Sequence, residues 1–119
     1  MTEERLAARL VMVGARCDDE TIAESRRHVL GLVREVGIGG FIIFGGCRDA
    51  VRGLIKEARE LSDAPLLVAS DLERGLGWQV TDGTLLPSQM AIGAADDTSF
   101  AFEAGRLTAA EAREVGIDL

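Results

Sequence analysis

Three short apolar runs, each followed by a stretch with helical features, constrain the fold of this sequence more than any other feature. The runs lie at residues 10–13, 38–44 and 66–70. The second run is apolar on both faces, which is typical of a parallel sheet that helices cover on either side. The sequence therefore predicts an α/β fold in which parallel strands are joined by right-handed crossover helices.

The stretches that follow these runs predict three helices, at residues 21–36, 49–61 and 98–115. The first two repeat apolar side chains every three to four residues, which is the spacing of one helix face. Gly37 follows the first helix at the position where helices commonly end on a glycine. Pro65 follows the second helix and cannot continue it.

The order of these elements leaves two architectures open. Residues 71–95 predict a long loop, and residues 117–119 predict the first part of a fourth strand. An open doubly wound sheet and a (β/α)₈ barrel both begin in this way. Because neither a linker nor a low-complexity segment interrupts the pattern, residues 1–119 are interpreted as one domain or a piece of one.

The charge of the chain excludes several classes of partner. A formal net charge of −7 repels the phosphate backbone of nucleic acids and the anionic surface of membranes. No stretch approaches the ~20 apolar residues of a membrane span, and residues 1–9 lack the basic start and apolar run of a signal peptide. We expect a cytoplasmic protein that binds neither nucleic acid nor membrane, and a neutral ligand such as a sugar is compatible with this charge.

Metal-binding and nucleophilic side chains are few. Cys17 and Cys47 are too few and too far apart for a disulfide framework or a zinc ribbon, so we expect two free thiols. His28 is the only histidine and falls on a predicted helix, which argues against a Ser-His-Asp triad. We expect no cofactor.

The strongest candidate site residues directly follow the third apolar run, since function gathers at the carboxyl ends of parallel strands. Asp71 is fixed at a strand end, where its carboxylate can accept hydrogen bonds from two sugar hydroxyls. Glu73 and Arg74 are interpreted as supports for that carboxylate or for the loop. Trp78 either stacks on a sugar face or anchors the loop. A solvated acidic turn with a surface ion pair is the alternative interpretation.

Other patterns in the same region allow further interpretations. Gly39-Gly40 and Gly45-Gly46 lack the spacing of phosphate-binding loops, so we interpret them as giving clearance to neighbouring backbone. Asp71-x-Glu73 would suit a hard cation such as Mg²⁺. A doubly wound magnesium-binding protein therefore stays open, as does a small non-catalytic α/β binding module.

Several segments together resemble the amino-terminal domain of glycoside hydrolase family 3. They are VGIGGFIIFG at 36–45, LPSQMAIG at 86–93, AGRLTAAEAR at 104–113 and the Gly-Ile pair at 116–117. The segment around Asp71 also resembles the family, in which a hydrophobic strand ends in Asp and a Glu/Gly/Arg turn follows. The resemblance covers nearly the whole chain.

The resemblance implies a (β/α)₈-like barrel, of which residues 1–119 would be the first three to four βα units. It also implies a retaining glycosidase that cleaves terminal β-linked glucosides or N-acetylglucosaminides through a covalent glycosyl-enzyme intermediate. The position that matches Asp71 binds hydroxyls of the sugar. Many members read Asp-x-Glu-Gly-Gly-Arg there, and Arg74 stands in place of a glycine.

The catalytic residues that the resemblance implies are expected beyond Leu119. The family's nucleophile is an aspartate on a much later strand, and its Lys-His motif and histidine acid/base also lie later. A whole barrel needs about 250 residues. We therefore expect the chain alone to lack the rest of the barrel and to be inactive. We also expect the exposed edge of the strand at 66–70 to invite pairing or aggregation.

Overall fold

A computed structural model describes residues 2–119 and contains one parallel sheet. The strand order is β1-β2-β3, with Met12 opposite Gly40 and Gly40 opposite Leu67. Helices connect consecutive strands, so the predicted α/β class is confirmed. In chain order the elements are α1 (Glu3–Ala8), β1 (Met12–Arg16), α2 (Ile22–Gly31), a π-helical turn (Leu32–Val36), β2 (Gly40–Phe44), α3 (Arg48–Leu61), β3 (Leu67–Ser70), a 3₁₀ turn (Leu76–Trp78), α4 (Gln89–Ala94) and α5 (Thr98–Val115).

The first strand begins two residues later than the apolar run at 10–13 predicts. The amides of Leu10 and Val11 donate to the carbonyls of Ala7 and Ala8 at 3.0 Å, which closes the end of α1. Helix α1 itself is not among the predicted elements. The local sequence signal for this helix is Thr2, whose hydroxyl accepts a hydrogen bond from the Arg5 amide in the first turn.

The first predicted crossover helix consists of two parts. The α-helical part ends at Gly31, and the chain continues as a π-helical turn to Val36. Gly37 then adopts φ of +78°, and its amide donates to the carbonyl of Leu32 at 2.9 Å. The predicted glycine terminus is thus confirmed, because this left-handed conformation favours a residue without a Cβ.

The second crossover helix buries the predicted apolar face. Val51, Leu54, Ile55 and Ala58 are all buried against the sheet and its neighbours. Leu61, which continues the same stripe, is 42% exposed at the end of the helix. Periodicity therefore identifies the buried face correctly except at its last turn.

Residues 117–119 lie alongside β3, as a fourth strand would. The amide of Leu119 donates to the carbonyl of Val68 at 3.1 Å, and the amide of Ser70 donates to the carbonyl of Leu119 at 2.9 Å. This pair of bonds is the pattern of a parallel bridge. The edge of β3 is consequently partly covered, which agrees with the predicted start of a fourth strand and corrects the expectation of an exposed edge.

The segment after β3 is more ordered than the predicted loop at 71–95. It contains the 3₁₀ turn and helix α4, whose first turn is capped by the Ser88 hydroxyl accepting from the Ala91 amide at 3.2 Å. Leu76 and Val80 are fully buried in the core cluster. The side chains of Leu76 and Val80 therefore attach this segment to the core. The prediction of a long loop is wrong for the 3₁₀ turn and for α4, although the predicted start and end of the segment agree with the structure.

Helix α5 agrees with its predicted limits. The Asp97 carboxylate accepts from the Ser99 amide at 2.9 Å, and Gly116 ends the helix with φ of +96°. Only Ala112 and Val115 are buried on this helix, so its first half is largely exposed. Within residues 2–119 no helix is both long and apolar enough to cross a membrane.

The paired glycines give the predicted backbone clearance. A Cβ on Gly40 would lie 2.0 Å from the carbonyl oxygen of Leu67 in the neighbouring strand. A Cβ on Gly46 would lie 2.6 Å from the carbonyl oxygen of Cys17, and φ at that residue is +96°. Both positions therefore exclude larger residues for reasons of packing, independently of any ligand.

Candidate functional site

The carboxyl ends of the three strands lie at one edge of the sheet. The Cys17 amide donates to the carbonyl of Phe44 at 2.8 Å, which extends the pairing of β1 and β2 by one residue. The side-chain oxygen of Gln79 accepts from the Gly45 amide at 3.2 Å. The segment that follows β3 is thus attached to the end of β2, and the three strand ends form one rim.

Asp71 follows β3 directly and is exposed on this rim. The preceding residue, Ser70, is buried, and its hydroxyl donates to the carbonyl of Ile43 at 2.9 Å. Within residues 2–119 the Asp71 carboxylate makes no hydrogen bond or ion pair. A rigid strand end therefore presents a carboxylate whose two oxygens are available as acceptors.

Arg74 contacts two other residues of the segment that follows Asp71. Its Nε donates to the carbonyl of Leu86 at 3.3 Å, and its guanidinium lies 5.1 Å from the centre of the Trp78 ring. The Trp78 side chain remains 46% exposed. Arg74 and Trp78 therefore contact one another, whereas neither contacts Asp71 through a hydrogen bond or ion pair in the described residues.

Glu73 is exposed, and its backbone carbonyl accepts from the Gln89 side chain at 2.6 Å. It also lines a cleft of about 610 Å³ between the end of β3 and helix α5. Leu72, Gln89 and Leu119 line the same cleft, but Asp71 and Trp78 do not. The predicted site residues are therefore divided between the rim and this cleft.

Two glycines allow the segment after Arg74 to turn back on itself. Gly75 has φ of +78°, and a Cβ there would lie 2.6 Å from the carbonyl oxygen of Thr84. The Gly77 amide donates to that same carbonyl at 2.9 Å. The two arms of the segment consequently approach within backbone hydrogen-bonding distance.

A partly buried charge cluster beside this turn is absent from the sequence prediction. The Arg48 guanidinium donates to Glu111 and to Glu114, each at 2.8 Å. The Glu111 carboxylate also accepts from the amide and the hydroxyl of Thr84, at 3.0 and 2.9 Å. Glu111 belongs to the quoted 104–113 segment, but its partner lies 63 residues away, so spacing alone gives no signal.

Electrostatics favour the charged forms in this cluster. Burial opposes the charge of Glu111, but hydrogen bonds from Thr84 and the neighbouring Arg48 outweigh it and lower the pKa of the carboxyl. Burial likewise opposes the charge of Arg48, and its bonds to Glu111 and Glu114 raise the pKa of the guanidinium. Arg48 and Glu111 are therefore both ionised at neutral pH.

The cysteines are free thiols, as predicted. Cys17 is buried, and burial together with the nearby Asp18 and Cys47 raises the pKa of its thiol to about 11. His28 is exposed on α2. Within residues 2–119 no three His, Cys, Asp or Glu side chains converge on a metal-sized site.

Comparison with known proteins identifies the group to which this arrangement belongs. The family model described as the glycosyl hydrolase family 3 N terminal domain matches residues 1–119. Beta-hexosaminidases from Haemophilus influenzae strains PittEE and Rd are 39% identical over 77 residues, which is 60% of this chain and 22% of each relative.

A solved structure extends the comparison to the fold. The beta-glucoside phosphorylase BglX bound to 2FGlc superposes with a TM-score of 0.85 and 24% identity. The match covers 98% of this chain and 20% of that one. The chain thus spans about a fifth of the length of these relatives, and its fold is the first part of a (β/α)₈ barrel rather than an open doubly wound sheet. The chain belongs to glycosyl hydrolase family 3 and matches the N-terminal domain of that family.

Proposed function

We propose that this chain forms part of the sugar-binding mouth of a retaining β-glycosidase that hydrolyses terminal β-linked sugars. One observation carries the proposal. In a family of glycosyl hydrolases, an exposed carboxylate without a partner in the described residues stands at the carboxyl end of β3. That end of a barrel strand is where substrates bind in this architecture.

Asp71 would bind the sugar through charge-assisted hydrogen bonds. Each carboxylate oxygen can accept from a different hydroxyl, and such bonds are about twice as strong as neutral ones. The exposed part of Trp78 offers an apolar ring for the C–H face of a sugar, while Arg74 holds that ring from one side. The site would therefore orient a neutral sugar ring by both polar and apolar contacts.

The bond-breaking residues would come from outside these residues. A retaining glycosidase needs a nucleophilic carboxylate and an acid/base group on opposite sides of the scissile bond. In the proposed scheme Asp71 holds hydroxyls of the sugar and Glu73 lies at the neighbouring cleft, so neither supplies that pair. The chain alone would bind sugar weakly and would not hydrolyse a glycoside.

The names of the relatives suggest which sugars to test first. Two are beta-hexosaminidases and one is a beta-glucoside phosphorylase, so N-acetylglucosamine and glucose are the first ligands to compare. Trp78 is the only tryptophan of the chain, which makes its fluorescence a specific probe of the rim. Mannitol serves as a polyol control that lacks the sugar ring.

The test of the role of Asp71 is a matched chimera. Residues 1–119 replace the equivalent barrel segment of the Haemophilus influenzae beta-hexosaminidase, to which 77 of them align, and an aryl N-acetyl-β-glucosaminide is the substrate. Asp71→Asn should lower kcat/KM by about a hundredfold or more, because a charged acceptor for the sugar is lost. Asp49→Asn, at a 94% exposed side chain on α3, is the control and should leave kcat/KM unchanged. Equal kinetics for the Asp71→Asn and parent chimeras would refute the proposed role.

A further inference from the structure

The turn that carries Arg74 and Trp78 is fastened to two helices by one cluster of side chains. We call this cluster the loop clamp, and it consists of Arg48 on α3, Asp82 and Thr84 on the turn, and Glu111 on α5. The side chains of Arg48 and Glu111 are only 20% and 15% exposed. Because solvent screens a partly buried pair less than a fully exposed one, this pair attaches the turn to both helices more firmly than a surface ion pair would.

Glu111 is the centre of the loop clamp. One carboxylate oxygen accepts from Arg48 at 2.8 Å and from the Thr84 hydroxyl at 2.9 Å. The other accepts from the Thr84 amide at 3.0 Å. A single carboxylate therefore joins α3, α5 and the turn.

Asp82 attaches the same turn to the start of α3. The N-cap residue Cys47 provides no side-chain acceptor for the helix. The Asp82 carboxylate instead accepts from the Arg48 amide at 2.8 Å, and its backbone carbonyl accepts from Arg48 Nε at 3.2 Å. The turn thus supplies the missing cap, which couples its position to that of the helix.

Backbone hydrogen bonds continue from the loop clamp to the candidate site. The carbonyl of Thr84 accepts from the Gly77 amide at 2.9 Å, and the Leu86 amide donates to the carbonyl of Arg74 at 2.8 Å. Gly77 immediately precedes Trp78, against which Arg74 lies. Holding Thr84 in place therefore holds both side chains of the rim.

We propose that Glu111 is a positioning residue of the candidate sugar site and acts through Thr84 on Arg74 and Trp78. The importance of this position for sugar binding rests on the proposed function. The other part of the proposal, that Glu111 orders the turn, does not depend on any ligand. The two parts are consequently tested by separate measurements.

The first measurement is amide hydrogen exchange in the chain without ligand. Glu111→Gln removes the charge and one acceptor, so the Gly77 and Leu86 amides should exchange about tenfold faster or more. The amides of Cys17 and Leu67, which donate to backbone carbonyls in the sheet, serve as core references and should keep their rates. Acrylamide quenching of Trp78 should increase in parallel.

The chain offers a matched control on the same helix. Glu103 pairs with Arg106 one turn away, and both side chains are more than half exposed. Glu103→Gln makes the same chemical change on α5 without contact to the turn, and it should leave all exchange rates unchanged. Equal acceleration of turn and core amides in Glu111→Gln would indicate general destabilisation and overturn the proposal.

A second variant keeps the test decisive if Glu111→Gln fails to fold. Thr84→Val removes the hydroxyl but leaves the pair between Arg48 and Glu111 intact. The turn amides should then exchange several-fold faster while the core references stay unchanged. Unchanged turn amides in Thr84→Val would overturn the proposal.

The second measurement adds N-acetylglucosamine and follows Trp78 emission. If the wild-type chain binds the sugar, Glu111→Gln should raise Kd about tenfold and Glu103→Gln should not. An unchanged Kd beside a disordered turn would overturn the role of Glu111 in the site. A wild-type chain that gives no response at any soluble concentration of the sugar would overturn the proposed function and with it the role of Glu111 in the site, whereas the exchange rates test the ordering of the turn independently.

Discussion

Asp118 joins the edge of the sheet to the helix beneath it, and its removal gives a direct test of how that edge is held. Its carboxylate accepts from the Val68 amide at 2.9 Å and pairs with the Arg59 guanidinium at 2.9 Å. Its own amide donates to the carbonyl of Val68 at 2.8 Å. The side chain therefore serves as the acceptor that a longer neighbouring strand would supply to β3.

The expected cost of Asp118→Ala follows from these contacts. The Val68 amide loses a charged acceptor, which is worth about 1.5–3 kcal/mol. The ion pair with Arg59 adds only about 0–1 kcal/mol, because both side chains are more than a third exposed. The free energy of unfolding should therefore fall by about 1.5–4 kcal/mol in total. Asp118→Asn keeps an oxygen acceptor and should lose roughly half as much.

Urea unfolding followed by circular dichroism measures this difference. Glu60→Ala is the control, because Glu60 is 65% exposed and lies 3.9 Å from its partner Lys56. Its effect should stay within about 0.5 kcal/mol. Asp118→Ala with the same midpoint and slope as Glu60→Ala would refute the reasoning that this carboxylate holds the strand edge.

Two further outcomes follow from packing and from burial. Gly40→Ala should destabilise the chain by about 1–3 kcal/mol, because its Cβ would lie 2.0 Å from the carbonyl oxygen of Leu67 in β3. The Cβ in Gly93→Ala meets no atom within 4 Å, so this substitution should be neutral or stabilising by up to ~1 kcal/mol. Differential scanning calorimetry compares the two variants, and equal Tm values would contradict the close packing at Gly40. The Cys17 thiol has its pKa raised from 9.0 to about 11, so its contribution to stability is present in full below pH 9 and is lost as the pH rises toward 11. Urea unfolding between pH 7 and 10.5 should therefore show a steeper decline for the wild type than for Cys17→Ala, and parallel curves would contradict the raised pKa.

The helices and the segment after β3 show which features can be predicted from neighbouring residues and which depend on distant ones. The limits of α5 are readable because Asp97 and Gly116 act on the residues next to them. Local signals of this kind also place the buried face of α3. The same reasoning misses α4, which is only six residues long and buries no side chain, although Ser88 marks its start.

The candidate site shows the same division. That a carboxylate stands at the end of β3 follows from an apolar run that ends before Asp71, and this needs no tertiary information. The contact of Arg74 with Trp78 and its bond to Leu86 depend on how the segment turns, which the glycines permit but do not specify. The sequence therefore predicts that Asp71 stands at the end of β3, but not that Glu73 lines a separate cleft or that Arg74 lies against Trp78.

The sequence by itself determined the class of the fold, the order of its three strands and of the helices α2, α3 and α5, and the family. Strand and helix periods are repeated within a few residues, and the family segments are contiguous, so both are visible without folding. Only the tertiary structure decided that Glu111 meets Arg48 across 63 residues and that the Asp118 carboxylate pairs with Arg59. Such contacts depend on how whole elements pack against one another, and no local pattern of residues encodes that geometry.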